Sequence, residues 1–237
     1  MTTLDISFDP ASFSGRVPLF PLPGTVLLPG GVLPLHVFEP RYRAMVGDAL
    51  EGERLIAMAL LRPGYEPDYE GCPEIEPAVC VGRVALEQRL SDGRWNLVLL
   101  GLCRAQVESE DRSRAYRLAS VRLLPDPPLA AAEERAQGVA LSERLRAVPA
   151  RLVRDQERLE TALELLEQGG GGELSLGLKL DLTADQLHLS LAERQRLLAT
   201  PGVHTRGELL LELLTLRRAE MARLGLRPAW PPPPSPY

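Results

Sequence analysis

The stretch VPLFPLPGTVLLPGGVLPLHVFEPRYRAMV, Val17 to Val46, constrains the fold more than any other part of the chain. It is as apolar as a buried strand, yet Pro18, Pro21, Pro23, Pro29, Pro34 and Pro40 interrupt it. Each proline removes a backbone donor, and the residue is poorly tolerated inside a helix or a central strand. The segment is therefore expected to form short extended pieces, VPLF, TVLL and VLPLHVF, turned at Pro23-Gly24 and Pro29-Gly30-Gly31. The same interruptions leave no apolar run of about 18 residues, so a membrane span is not expected. Pro40 suits the first position of a helix, and Tyr42, Met45, Val46, Ala49 and Leu50 recur at helical spacing before Gly52.

Beyond this ribbon the pattern stays strand-like to about Pro125. RLIAMALL reads as a buried strand and RPGYEPDYEGCPEIEP as a long polar loop. AVCVGRVALEQRL, RWNLVLLGL, CRAQVESE and YRLASVRLL read as successive strands, with Ser91-Asp92-Gly93 as a hairpin turn. Gly82 and Gly101 within these runs predict bends or bulges that curl the sheet. PDPP at 125–128 marks a boundary, after which the period becomes helical. Leu129–Val148 and Arg151–Gln168 are helix candidates, and the GGGG run at 169–172 is a linker. Capping-box chemistry is expected at Ser190/Glu193 and Thr205/Glu208. The organisation expected is a leader over 1–15, a β domain over 16–125, a helical bundle over 126–225 and an extended Pro-rich tail over 226–237. The fold class is α+β.

Composition and missing motifs narrow the chemistry. The 32 acidic residues outnumber 27 basic ones, for a formal charge of -5, so no global field recruits nucleic acid or an anionic membrane. Cys72, Cys80 and Cys103 are odd in number, lack metal-ligand spacing and read as small buried residues of a reduced, cytoplasmic protein. Lys179 is the single lysine, and no Gly-Lys-Ser/Thr phosphate loop exists. Ser175 lies four residues before it, a spacing at which a helix would bring the two together, but no glycine-rich oxyanion element accompanies the pair. No G-x-S-x-G elbow or H-E-x-x-H zinc motif occurs. Neither catalytic residues, metal nor cofactor are therefore expected. His36 is read as a ring filling a barrel end and bonded to backbone or Glu39, with Glu39, Arg41 and Arg43 as an ion-pair cluster at the helix start.

PLFPLPGTVLLPGGVLPLHVFEPRYRAMVGDAL resembles the opening of the Lon N-terminal, or Lon substrate-binding, domain. The resemblance continues through RLIAMAL, VGRVALEQRLSDGRWNLVLLGLCRAQV and LSLAERQRLLATPGVHTRGELLLELL, spanning Arg16 to Leu224. It implies a PUA-like β pseudo-barrel followed by a helical bundle, without the Lon ATPase and Ser-Lys peptidase. It also implies a non-enzymatic module that recognises exposed segments of unfolded or tagged proteins, with a protease or chaperone as candidate partner. Candidate polypeptide-binding residues are Phe20, Leu22, His36, Phe38, Glu39, Arg41, Tyr42, Tyr65 and Tyr69. Two other readings stay open: an RNA-binding module using a local patch of the 26 arginines left when the one lysine is set aside, and a small-ligand or interaction scaffold.

Overall fold

The computed structural model describes residues 8–168 and 174–224. Most of the leader, the tetraglycine run and the Pro-rich tail lie outside the described residues. Two compact units meet in sequence between Pro125 and Asp126.

The first unit contains β1 (Arg16–Leu22), β2 (Val32–Val37), helix α1 (Pro40–Glu51), β3 (Leu55–Leu60), β4 (Ala78–Arg89), β5 (Trp95–Asp111) and β6 (Arg117–Leu123). Their order is β2-β5-β4-β3-β1-β6, and β6 pairs back onto β5. The sheet thus closes through β5, which exceeds its neighbours in length: its first half pairs with β2 and its second half with β6. This is the expected pseudo-barrel. Alternate residues Val17, Leu19, Ala57, Ala59, Val79, Val81, Ala105, Ala119 and Val121 point into one cluster. Four of these nine are alanines, as a narrow barrel interior requires.

Several local expectations are corrected. RWNLVLLGL and CRAQVESE are not two strands but one, β5, bent where Gly82 pairs Gly101 and Leu102 has no residue opposite. A Cβ on Gly101 would stand 2.2 Å from the Leu28 carbonyl oxygen, which is why only glycine fits at the bend. TVLL is not a strand either. Val26, Leu27 and Leu28 are consecutively buried, and the Gly30 amide and the Gly31 carbonyl bond to Gly101, so the segment packs against the bend of β5 instead of alternating as a strand does.

The prolines also do not mark corners alone. Pro18 lies in the half of β1 that pairs with β6, and Pro21 in the half that pairs with parallel β3. Each has one unpaired side to take its missing donor. Pro34 sits in the edge strand β2, where proline is tolerated. The Gly101 amide bonds the Gly31 carbonyl at 2.9 Å, so by antiparallel alternation the odd positions of β2 bond to β5 and Pro34 faces outward.

α1 covers the barrel's outer side, burying Tyr42, Met45, Val46 and Ala49. Their spacing is that of one helical stripe, as the sequence predicts.

The second unit contains α2 (Ala131–Arg146), α3 (Gln156–Glu167), α4 (Leu176–Asp185), α5 (Leu191–Ala199) and α6 (Val203–Leu224). Ser190 and Glu193 form the predicted capping box of α5. Thr205 caps nothing, because α6 already begins at Val203 after Gly202 takes a φ of 81°. Its partner Glu208 instead binds Arg144. Arg151–Gln168 is also shorter than expected, with a 3-10 turn at Ala150–Leu152 and Asp155 capping α3 at Arg158. Ser175 and Lys179 do share the first turn of α4, but the Ser175 hydroxyl caps the Leu178 amide and Lys179 is buried.

Arg206 is fully buried within this unit. It binds Asp126 through two contacts of 2.8 and 2.7 Å and pairs with Asp181 at 3.1 Å. A Cβ on Gly177 would come within 1.8 Å of the Asp126 carboxylate, so the ion cluster needs glycine there.

Candidate polypeptide-binding faces

The sequence-derived candidates fall on two separate faces of the β unit. The first is a cleft of about 170 Å³ between the 62–77 loop, α1 and the β5–β6 hairpin. The start of α1 supplies Arg41 and Tyr42, the loop Tyr69 and β1 Pro21; Glu39, Tyr65 and Phe20 are bonded to or packed against these residues without lining the cleft.

Arg41 is the hub. Its Nε donates to Glu39 at 3.0 Å, while its other nitrogens donate to the backbone oxygens of Glu70 at 3.3 Å and Tyr69 at 3.2 Å. Tyr69 donates its hydroxyl to Glu39 at 3.1 Å, closing a clasp between loop and helix start. The Arg41 guanidinium also lies 4.7 Å from the Tyr42 ring centre and 5.4 Å from that of Tyr69. Cation–π attraction is favourable at these distances. Burial works against the Arg41 charge, yet Tyr42, Glu39 and Glu70 hold its pKa above the ordinary arginine value. Burial pushes the Tyr42 hydroxyl up to about 12 and, with Glu39, raises Tyr69 as well. Phe20 and Tyr42 pack with ring centres 4.5 Å apart, and Tyr65 meets Tyr69 edge-on at 6.1 Å.

Phe20 and Tyr42 are therefore core, at 4% exposure each. Leu22 ends β1, its carbonyl accepting from the Leu61 amide. Arg43 departs from the expected ion cluster and stands against the hairpin turn at Gly93.

Of the charged and aromatic residues lining the cleft, four escaped the sequence reading: Arg112, Arg114, Tyr116 and Arg117. The available signal was DRSRAYR at 111–117, with two arginines in the β5–β6 turn and a third opening β6. Arg117 is held by Glu110 through two 2.7 Å bonds and donates to the Pro73 carbonyl at 2.9 Å. Tyr116 donates to Asp48 at 2.6 Å and accepts from Arg114.

The second face lies on β2, β5 and β4. Across it Pro34 pairs Val98, which pairs Leu86, and the next row of the same face is His36, Asn96, Gln88. His36 is bonded neither to backbone nor to Glu39. Its Nδ1 lies 2.7 Å from Asn96 Oδ1, its Nε2 is 3.3 Å from Arg94, and Phe38 stacks beside it at 6.3 Å. Phe38 is 59% exposed, Leu86 54% and Val32 51%. His36 and Phe38 thus belong to this open sheet face and not to the arginine cleft.

No group of His, Cys, Asp and Glu among the described residues could hold a metal ion. No helix among them is long and apolar enough to cross a membrane.

Comparison with known proteins places this architecture. A family profile described as the ATP-dependent protease La (LON) substrate-binding domain matches residues 16–215. The Lon protease of Anaeromyxobacter dehalogenans (strain 2CP-C) is 28% identical over 211 residues, covering 88% of this chain and 24% of that protein. Lon protease 2 of Myxococcus xanthus gives the same identity and coverage. The chain spans about a quarter of the length of these relatives. Among solved structures, the N-terminal domain of the Mycobacterium avium complex Lon protease matches with a TM-score of 0.62 at 20% identity, covering 84% of this chain and 98% of that one. A Lon N-terminal domain protein from Xanthomonas campestris matches with a TM-score of 0.56 at 25% identity, covering 83% and 97%.

Proposed function

Because the chain belongs to the Lon substrate-binding domain family over residues 16–215, we propose that it is a polypeptide-recognition module acting without catalysis of its own. It holds exposed segments of unfolded or tagged proteins in the cytoplasm and passes them to a protease or chaperone. The observation that carries this reading is the open face of β2, β5 and β4. All three large apolar side chains that the described part of the β unit leaves exposed, Val32, Phe38 and Leu86, lie on or beside β2 and β4. Clustered apolar exposure of this kind marks interaction sites in soluble proteins. His36, Asn96 and Gln88 set polar groups among them, which suits a client surface of mixed character.

Pro34 shapes how such a client is held. It faces outward between the amides of Val32 and His36, so the outer edge of β2 lacks the donor that an added strand needs at its centre. Recognition here rests on side-chain contact, which tolerates many sequences, more than on strand addition.

The test is fluorescence anisotropy of a labelled, permanently unfolded protein, reduced and carboxymethylated, titrated with the wild type and with a Phe38→Ser/Leu86→Gln double variant. Each half-exposed side chain contributes on the order of 1 kcal/mol of apolar burial, so the double variant binds at least about tenfold more weakly with its circular dichroism unchanged. A wild-type protein that fails to bind the unfolded chain, or a double variant that binds it equally well, sinks this reading.

A further inference from the structure

The arginine cleft has a property that the polypeptide reading does not use. Among the side chains lining it, the only charged ones are Arg41, Arg112, Arg114 and Arg117; their carboxylate partners do not line it. Two of the four are committed. Arg41 and Arg117 bind Glu39, Glu110 and loop carbonyls, which fixes the walls.

The other two keep donors available. Arg112 makes no hydrogen bond among the described residues, its sole ionic neighbour being Glu110 at 3.9 Å. Arg114 binds Asp48 and Tyr116 through one terminal nitrogen alone, leaving Nε and the second terminal nitrogen without a partner among the described residues. Both side chains sit at the mouth, 62% and 52% exposed. The remaining lining is apolar or aromatic, with Pro21, Leu61 and Tyr42 inside.

Resting on the polypeptide reading, we propose that this cleft is a second subsite that binds a carboxylate of the client chain, with Arg112 and Arg114 as its gripping residues. A volume of about 170 Å³ holds five to six water-sized groups, room for one acidic side chain or a chain terminus. The apolar lining takes the stem of that residue, and the free N–H groups of two guanidiniums meet the carboxylate. Such charge-assisted bonds are the strong ones, and arginine suits planar recognition. The carboxylate comes from either of two sources, the C-terminus that every polypeptide carries or an internal Asp or Glu.

The experiment compares binding of fluorescein-labelled apolar peptides to the full protein at low and moderate salt. One peptide has a free C-terminal carboxylate, a second is the same sequence amidated, and a third is amidated with an internal glutamate. Amidation is expected to weaken binding about tenfold or more, with the preference fading as salt rises. Arg112→Gln and Arg112→Gln/Arg114→Gln are expected to abolish the preference while leaving affinity for the amidated peptide unchanged. Recovery of affinity by the internal glutamate identifies a side-chain carboxylate as sufficient; no recovery assigns the site to the chain terminus.

Equal binding of all three peptides, or retention of the preference by the double arginine variant, overturns the proposal while leaving the polypeptide reading intact. So does a stronger preference for a phosphorylated peptide or for oligouridylate. Failure of every peptide and of the unfolded protein to bind sinks the underlying reading instead.

Discussion

Arg117 ties the candidate cleft to the barrel, and its replacement by methionine tests whether the cleft is as rigid as its contacts imply. The residue is 9% exposed and binds Glu110 on β5 at 2.7 Å through two nitrogens, while a third holds the Pro73 carbonyl of the 62–77 loop. Methionine keeps much of the apolar stem and removes all three bonds. Breaking a buried ion pair costs about 3 to 5 kcal/mol when the remaining charge has no relief. Here Glu110 keeps some water contact and has Arg112 at 3.9 Å, so the expected loss falls below that range, at about 2 to 3 kcal/mol. In urea unfolding followed by circular dichroism this lowers the midpoint by about 1 M, for a slope of about 2 kcal/mol per M. Adding Glu110→Gln to Arg117→Met removes the stranded charge, so the double variant is expected to be less destabilised than the sum of the singles. Hydrogen exchange at residues 70–74 should accelerate in Arg117→Met while that of β3 and β4 holds. A midpoint shift below about 0.25 M, equivalent to about 0.5 kcal/mol, or strict additivity with Glu110→Gln, refutes the idea that this ion pair pins the loop.

Two further outcomes follow from buried groups. Tyr42 titrates near 12 in the folded protein because it is buried, against about 10 in an unfolded chain. The folded state therefore holds its proton longer, and stability falls between pH 10 and 12 by up to about 2 to 3 kcal/mol; Tyr42→Phe should flatten that slope in alkaline urea titrations, and an identical slope in the variant removes Tyr42 as its source. In the helical unit, Arg206→Met leaves the Asp181 carboxylate, 1% exposed, without its guanidinium partner. Its expected cost is about 3 to 5 kcal/mol of unfolding free energy, read by urea denaturation, and a loss under about 1 kcal/mol would show that the buried cluster contributes little.

Much of the fold was legible because it is written in local periods. The α1 stripe Tyr42, Met45, Val46, Ala49 and the capping box Ser190/Glu193 each lie within a few residues, where spacing alone decides the structure. What failed was non-local. TVLL has the composition of a strand, but the segment it leads into meets Gly101 across 70 residues and is held against the bend of β5. β5 was divided at Gly101 because glycine and cysteine look like a break, whereas closure of the barrel needs one long strand shared by β2 and β6. Thr205 carries the right residues for a cap, and the positive φ of Gly202 starts α6 two residues earlier.

The site was less legible than the fold, and for a related reason. HVFEPRY reads as one motif, but the structure sends its two ends to different faces: His36 and Phe38 outward on the open sheet, Arg41 and Tyr42 to the cleft, with Glu39 bound to Arg41. The division occurs at the extended Glu39, where proline at the next position opens α1. The same corner therefore positions both proposed subsites. It also explains why their chemistry differs. The sheet face can leave Phe38 and Leu86 exposed because the narrow, alanine-lined barrel beneath is complete without them. The cleft can hold four arginines together because Glu39, Glu110 and Asp48 neutralise their inner sides and leave Arg112 and Arg114 open at the mouth. A client that places an apolar segment on the first and a carboxylate in the second makes the two contacts through one chain, so each contact raises the effective concentration of the other. Weak individual contacts then suffice, as the proposed recognition of many different unfolded sequences requires.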